Sequence, residues 1–370
     1  MKRIILLFAS VLTAVQSICA IEPYVIDNLE PKPGFWKVRV DEISQVCERV
    51  TKGETKVVAR TPLGYPVYAV FYGEFSSEEP QTNWSAANSS TSKKAYVGDD
   101  GGKQTILFAA GVHGSEPETV AAAMNIIQML ETGKDFRGER DEEFLKMLEN
   151  YNLIIMPCVN MDGRSISPDH FRLQPYEIFR GCSQGWWKDG SLIGWRGSKE
   201  WFPLPLDKVL YPGGYPNADG YNIQHDVCPG DMKTEEAKAV CRIMARYRVD
   251  FFLNGHSQPL APCAIYPSEV NTDENKLREK DLAEKINQAL YEEGLRPNFS
   301  PFKKYSQTIN LTNIVSLCSG GTALTLECNH SCYNQKGEIA LQSFDQMMAP
   351  VLIALKTVMR DGLAESLAKR

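Results

Sequence analysis

The chain has 370 residues, of which 43% are hydrophobic, so it is long enough for one large α/β domain or two medium ones with sizeable cores. Its formal net charge of −6 and sequence pI near 5.6 argue against a general attraction to nucleic acid or to an anionic membrane surface. We therefore expect no nucleic-acid partner.

The first twenty residues differ in character from the rest of the chain. Lys2 and Arg3 precede the apolar stretch IILLFASVLTAV, and small residues follow up to Ala20. This order is typical of a cleaved secretory signal, and the apolar stretch is too short to span a bilayer. We predict a signal peptide over residues 1–20, export to the periplasm or the extracellular space, and no membrane span after signal removal.

The spacing of the cysteines does not indicate a metal site. Ten cysteines occur in the full sequence; nine remain after removal of residues 1–20, and an odd number leaves at least one free thiol in an oxidising compartment. A cysteine zinc cluster has no support, because no CxxC pair is present. Cys328 and Cys332 are close in sequence, and the ordinary interpretation is that they are buried or bridged.

The first third of the chain predicts a helix, two strands and a loop. Residues 38–53 have the apolar spacing of a short amphipathic helix that ends at Gly53. Residues 55–73 predict two strands around the turn PLGY, because β-branched and aromatic residues alternate on both sides. Residues 76–103 are polar and rich in Ser, Asn and Gly, which indicates a surface loop.

The middle of the chain predicts two buried strands and a long excursion. Residues 104–111 are an apolar run of strand length, and the motif GVHGSEPET then leads into helical spacing over residues 118–133. A charged helix over residues 141–150 precedes a second buried strand over residues 151–160. Residues 161–221 are rich in Gly, Pro, Trp and Arg without a sustained period, so we expect excursions that cover a site.

The last third returns to alternating elements. We predict helices over residues 234–247, 277–294 and 343–369, and strands over residues 249–257 and 322–331.

Apolar strands that alternate with helices indicate an α/β fold with a mainly parallel, mixed sheet and helices on both faces, a three-layer sandwich. We assign residues 21–370 to a single catalytic domain. In such sheets, ligands bind beyond the carboxyl ends of the strands.

Four side chains near these strand ends form a candidate metal site. His113 and Glu116 follow one strand, His256 ends another in FFLNGHSQ, and Glu327 ends a third in TALTLE. Two histidines and a glutamate suit a catalytic zinc site with an open position for water. A further carboxylate, Glu327, could then take the proton from that water.

Each of these residues alone has an ordinary alternative explanation. An HxxE pair arises by chance, a strand-end histidine can simply be hydrogen-bonded, and Glu327 alone could be a surface carboxylate. His170, His225 and His330 are expected to lie in loops or at the surface. The order and context of the four residues together favour the metal site.

Five motifs in chain order resemble the zinc carboxypeptidases of the carboxypeptidase A type. They read GVHGSEPET, CVNMDGR, GYNIQHD, FFLNGHS and LTLECN, and the resemblance covers about residues 40 to 357. It implies the zinc carboxypeptidase-like α/β fold, one Zn²⁺ per chain held by His113, Glu116 and His256, and Glu327 as general acid/base.

Two further roles follow from looser matches to this family. The resemblance implies an arginine that polarises the scissile carbonyl, and Arg196 of GWRGS is our choice, with Arg180 and Lys188 as competitors. It also implies a tyrosine that closes over the substrate, and Tyr305 is the candidate, with an ordinary loop aromatic as the alternative.

One departure from the family pattern concerns substrate recognition. Where the family's Asn-Arg pair would bind a peptide's terminal carboxylate, this chain has Gln224 and His225. A histidine that is neutral at pH 7 cannot replace a permanently charged guanidinium fork. Either another cation, such as Arg164, takes this role, or the substrate lacks an ordinary terminal carboxylate.

We therefore predict an exported zinc-dependent metallopeptidase of the carboxypeptidase type, acting on a peptide or peptide-like substrate. The enzymatic alternative is an amidase or deacylase that acts on a cell-wall peptide or a small acylated amino acid. From another class, the chain could be a non-catalytic carbohydrate or peptide binder, which the intact set of ligands disfavours.

Overall fold

The computed structural model describes residues 22–98, 102–228, 230–266, 270–297 and 309–370. The predicted signal peptide over residues 1–20 and the candidate residue Tyr305 lie outside this part of the chain. Among the described residues, no helix has both the length and the apolar character needed to cross a membrane.

Strands and helices alternate along most of the described chain. The strands are β1 (Glu54–Arg60), β2 (Pro66–Tyr72), β3 (Gln104–Ala109), β4 (Tyr151–Met156), β5 (Trp186–Trp187), β6 (Val209–Tyr211), β7 (Phe251–Gln258), β8 (Cys263–Ile265) and β9 (Thr322–Asn329). The helices are α1 (Val40–Glu48), α2 (Trp84–Ser89), α3 (Lys94–Val97), α4 (Pro117–Thr132), α5 (Glu142–Leu148), α6 (Met161–Ile166), α7 (Tyr176–Gln184), α8 (Gly194–Glu200), α9 (Glu235–Arg246), α10 (Asp273–Glu292), α11 (Val315–Cys318) and α12 (Phe344–Gly362).

Seven of these strands form one mixed sheet in the order β1-β2-β4-β3-β7-β9-β8. The four central strands, β4, β3, β7 and β9, run parallel, while β1, β2 and β8 pair antiparallel at the two sides. The predicted mainly parallel mixed sheet is confirmed.

Helices cover both faces of this sheet because each central strand is apolar on both sides. On β3, Ile106 and Phe108 face a core built with α4, α10 and α12, whereas Leu107 and Ala109 face a second core built with α9 and α11. All four side chains are fully buried. Continuously apolar strands therefore correspond to a sheet between two helical layers.

Two polar segments contain more regular structure than the sequence indicated. Residues 76–103 include α2 and α3, and residues 161–221 include α6, α7, α8 and the small antiparallel pair of β5 and β6. Asn83 caps α2 by accepting a hydrogen bond from the backbone N–H of Ala86. The expectation of an uninterrupted loop over residues 76–103 is wrong, because helices of four to six residues are too short to show an apolar period.

Candidate active site

His113 and Glu116 lie on the short turn between the end of β3 and the start of α4. Gly111 opens this turn with a φ of 58°, a left-handed conformation that glycine adopts without strain. Glu116 immediately precedes α4, and Pro117 takes the first helical position, where a missing N–H costs no hydrogen bond. One piece of backbone therefore presents both an imidazole and a carboxylate.

His256 comes from β7 and meets the same carboxylate. Its Nδ1 atom lies 2.8 Å from Oε2 of Glu116, while Nδ1 of His113 lies 2.9 Å from Oε1. All three side chains are buried, and their possible ligand atoms lie within 4.8 Å of one another. Two imidazole nitrogens and a carboxylate are a donor set that suits catalytic zinc, so these residues could hold a zinc ion.

The charges of these three residues depend on one another. Burial lowers the pKa of His113, and Glu116 acts against that change. Burial also acts to lower the pKa of His256, but the Glu116 and Glu327 carboxylates outweigh it and raise that pKa. Burial opposes ionisation of Glu116, yet the two imidazoles bring its pKa well below the ordinary value. Glu116 is therefore ionised, which is the form that a metal ligand requires.

Asn222 and Tyr215 support the ring of His113. Oδ1 of Asn222 lies 3.2 Å from Nε2 of His113; a hydrogen bond donated from Nε2 leaves Nδ1 free for a metal. The Tyr215 ring stacks on the imidazole, with ring centres 3.9 Å apart and planes 11° from parallel. Asn160, in the motif CVNMDGR, donates to the backbone carbonyls of Tyr215 and Pro216. This motif therefore positions the stacked tyrosine.

Glu327 lies on β9 directly beside His256. The parallel strands β7 and β9 place these two residues in register, so their side chains project from the same face of the sheet. Burial raises the pKa of Glu327 to about 7; His256 acts against this shift and Glu116 acts with it. A carboxyl group with such a pKa can accept and donate a proton near neutral pH.

Arg196 and Arg164 have no described contact with this group. Arg196 is on α8, and no hydrogen bond, ion pair or ring contact among the described residues involves it. The buried Arg164 side chain donates through Nη2 to the backbone carbonyls of Ser167, at 2.7 Å, and Pro168. Its guanidinium thus binds the backbone of its own loop.

The two competing cations also have other partners. Nε of Arg180 donates to the hydroxyl of Tyr176 at 2.7 Å, and the Lys188 ammonium donates to the backbone carbonyl of Asp207 at 2.7 Å.

Gln224 and His225, predicted to stand where the family has its Asn-Arg pair, carry no permanent charge. The Gln224 amide donates to the Thr312 hydroxyl and accepts from the Asn254 amide, so it is tied into the protein interior. Burial, together with the positive charge of Lys199, lowers the pKa of His225 to about 3. His225 is therefore a neutral imidazole at physiological pH.

Lys199 is a cation near the site that the motifs did not identify. Its Nζ atom lies 3.6 Å above the ring centre of Trp195, and Trp195 contacts Tyr215 edge-on at 6.0 Å between ring centres. Partial removal from water lowers the pKa of Lys199 to about 8, and its charge also acts on His225 and His256. The available sequence signal was the spacing of Trp195 and Lys199, four residues apart on one face of α8.

His170 and His330 lie in loops, one of the two expected placements, but neither is at the surface, because both are fully buried. Nε2 of His170 lies 2.7 Å from the backbone carbonyl oxygen of Glu30, and Nδ1 of His330 lies 3.0 Å from Oε1 of the buried Glu118. Polar partners inside the protein bind both rings, although the buried Nε2 atom of His330 has no hydrogen-bond partner among the described residues.

Comparisons with known proteins agree with this geometry. Residues 57–188, which include His113 and Glu116, match the family model described as zinc carboxypeptidase. No curated protein matches the sequence.

Solved metallo-carboxypeptidases share the fold at low sequence identity. A metallo-carboxypeptidase from Burkholderia cenocepacia is 14% identical with a TM-score of 0.53, over 87% of this chain and 68% of that one. A putative carboxypeptidase A from Shewanella denitrificans is 18% identical with a TM-score of 0.51, over 87% and 68%. A metallo-carboxypeptidase from Pseudomonas aeruginosa, in complex with (2-guanidinoethylmercapto)succinic acid, is 14% identical with a TM-score of 0.52, over 86% and 68%.

At these identities the likeness shows the fold, while the family model covers the strand and turn that carry the first two candidate ligands. The match over residues 57–188 and the shared fold together indicate that this part of the chain is zinc carboxypeptidase-like, divergent in sequence from the solved metallo-carboxypeptidases.

Proposed function

We propose that the chain is an exported zinc-dependent metallopeptidase of the carboxypeptidase type that hydrolyses an amide bond of a peptide. The convergence of His113, Glu116 and His256 on one another, with Glu327 in register beside His256, is the observation that carries this proposal. In this proposal the three converging residues hold one zinc ion per chain.

Bound zinc would supply a Lewis acid that polarises the scissile carbonyl and makes water more acidic. Glu327 accepts the proton of the attacking water and passes it to the leaving amine, a task that suits its pKa of about 7. The parallel register of β7 and β9, with Glu327 opposite His256, supports this role.

We assign the cation that stabilises the developing oxyanion to Lys199, in place of Arg196. The positive charge of Lys199 acts on both His225 and His256, whereas the Arg196 side chain makes no hydrogen bond or ion pair among the described residues. A positive charge next to the reacting carbonyl lowers the barrier by stabilising the negative charge that forms on its oxygen.

The second candidate function is an amidase or deacylase that acts on a cell-wall peptide or a small acylated amino acid. It is favoured by the neutral His225 and by the internal hydrogen bonds of Gln224. Neither residue offers the permanent charge with which an arginine fork binds a terminal carboxylate.

A peptide panel distinguishes the two functions. Pairs of identical peptides with free and amidated C-termini would be incubated with the enzyme, and the products identified by mass spectrometry. A carboxypeptidase cleaves only the free-ended member, whereas an amidase or deacylase cleaves both or prefers the blocked one. Chelation should abolish either activity and added zinc should restore it; hydrolysis that survives complete metal removal would contradict both.

We also propose that residues 1–20 are removed on export to the periplasm or the extracellular space, which leaves residues 21–370 as one catalytic domain. The basic, apolar and small-residue order of the first twenty residues supports this proposal. The mass of the protein recovered from the cell envelope or the medium tests it, since a full-length chain confined to the cytoplasm would contradict export.

A further inference from the structure

Two of the nine described cysteines stand apart from the others. Six thiols are buried and Cys228 is exposed, while Cys241 and Cys318 are each half-buried. Cys241 lies on α9 and Cys318 is the last residue of α11. Both pack against the same apolar core on one face of the sheet.

The backbone places Cys318 against the face of α9 that carries Cys241. The hydroxyl of Tyr96 lies 2.6 Å from the carbonyl oxygen of Ala245 and 3.3 Å from that of Cys318. Ala245 follows Cys241 by four residues, so both lie on the same face of α9, about one turn apart. One hydroxyl group thus contacts both helices beside the two thiols.

Each of the two thiols acts on the ionisation of the other. The interaction raises the pKa of Cys241 and lowers that of Cys318, so Cys318 is the thiol that takes up negative charge more readily. A thiolate at Cys318 is the nucleophilic form in thiol–disulfide exchange. Because both residues are half-buried, a small oxidant has access to them, in contrast to the six buried thiols.

We propose that Cys241 and Cys318 form a disulfide when the protein meets a small-molecule disulfide such as oxidised glutathione. The Cys318 thiolate attacks one sulfur of glutathione disulfide and releases one glutathione thiolate. The Cys241 sulfur, after loss of its proton, attacks the mixed disulfide and releases the second glutathione. The two cysteines together lose two electrons and two protons, and the glutathione disulfide is reduced to two thiols.

The cross-link closes a long loop that contains β7 and α10, and it ties α9 to the segment just before β9. His256 lies on β7 and Glu327 on β9, so the cross-link fastens the outer helical layer next to both strands of the candidate site. A disulfide that closes a long loop restricts the unfolded chain and so stabilises the folded state. This inference is independent of the catalytic proposal, since it concerns only the two thiols.

The test uses full-length protein purified in reductant and then equilibrated with oxidised and reduced glutathione. We expect two fewer titratable thiols, a non-reduced proteolytic peptide that joins Cys241 to Cys318, and a rise in Tm of about 5 °C or more that reductant reverses. Persistence of both thiols, or a stable glutathione adduct on Cys318 without the cross-link, would overturn the proposal.

Serine variants provide matched controls. Cys241→Ser and Cys318→Ser should each abolish the oxidant-dependent rise in Tm, whereas Cys228→Ser, which alters the exposed cysteine outside the pair, should retain it. A rise in Tm that survives Cys241→Ser would show that another pair of cysteines is responsible. The peptide map of the unaltered protein decides the question even if a variant folds poorly.

Discussion

At the scale of single residues, the candidate site contains charged groups that are held away from water. Glu116 stays ionised because two imidazoles face it, and Glu327 has a pKa of about 7 because burial opposes its charge. The positive charge of Lys199 acts on His225 and His256, and the ring of Trp195 partly shields the Lys199 ammonium from water. The residue-scale predictions therefore concern Lys199.

Replacing Lys199 with methionine should remove the charge while a side chain of similar length still covers Trp195. We expect kcat/KM to fall by about tenfold or more, because a positive charge that stabilises the transition state is lost. The matched control is Arg196→Met on the same helix, which should cause no comparable loss. A larger loss in Arg196→Met than in Lys199→Met, measured on the same peptide, would return the role to Arg196.

The pH profile provides a separate test of Lys199. Its pKa is lowered to about 8, so its charge is present below that pH and is lost above it. We expect kcat/KM of the wild-type enzyme to decline above about pH 8 for this reason. Lys199→Arg should extend activity to higher pH, because a guanidinium keeps its charge; an unchanged alkaline limb in that variant would argue against the assignment.

At the scale of secondary-structure elements, a buried carboxyl group joins α10 to β9. Oε1 of Glu279 accepts hydrogen bonds from the Asn271 amide at 2.9 Å and from the backbone N–H of Ala323 at 3.1 Å. Burial raises the pKa of Glu279 to about 8. Glu279 is therefore largely protonated in the folded protein at neutral pH.

Glu279→Gln should stabilise the protein at alkaline pH. A folded-state pKa above the unfolded value contributes stability below the unfolded pKa, and that stability is lost as the pH rises from about 4.5 to about 8. Glutamine can accept the same two hydrogen bonds without this loss. As the pH rises from about 5 to about 8.5, we expect the wild type to lose about 2–4 kcal/mol more of its free energy of unfolding than Glu279→Gln loses.

Denaturant titrations of both proteins at the two pH values measure this difference. Glu284→Gln on the same helix is the control, because its exposed carboxylate should make little difference at either pH. An equal pH dependence of stability in wild type and Glu279→Gln would contradict the raised pKa.

The elements differ in how far the sequence could predict them. The apolar runs correctly predict the strands β3, β4, β7 and β9, because a strand between two helical layers is apolar throughout. The sequence does not predict the short helices α2 and α3 or the β5–β6 pair. These elements have too few residues to show the hydrophobic periodicity of a helix or a strand. Side-chain caps such as Asn83 and contacts distant in sequence determine these elements.

At the scale of the whole molecule, the parallel order of β3, β7 and β9 brings together residues that are far apart in the sequence. Strand-end positions, together with the family resemblance, led to His113, Glu116, His256 and Glu327, and the structure brings the first three together, with the fourth in register beside them. That register depends on tertiary pairing, which a single sequence does not specify. The position of Lys199 could not be predicted either, since it depends on how α8 packs against Tyr215 through Trp195.

The most direct test of the central claim measures zinc and hydrolysis together in the wild type and in Glu327→Gln. Metal analysis of the purified proteins should find about one zinc ion per chain in both, because Glu327 is not among the three converging ligands. Hydrolysis should be lost in the variant alone, because glutamine cannot accept the proton of the attacking water. Wild-type protein that binds no zinc, or a Glu327→Gln variant with full activity, would contradict the account.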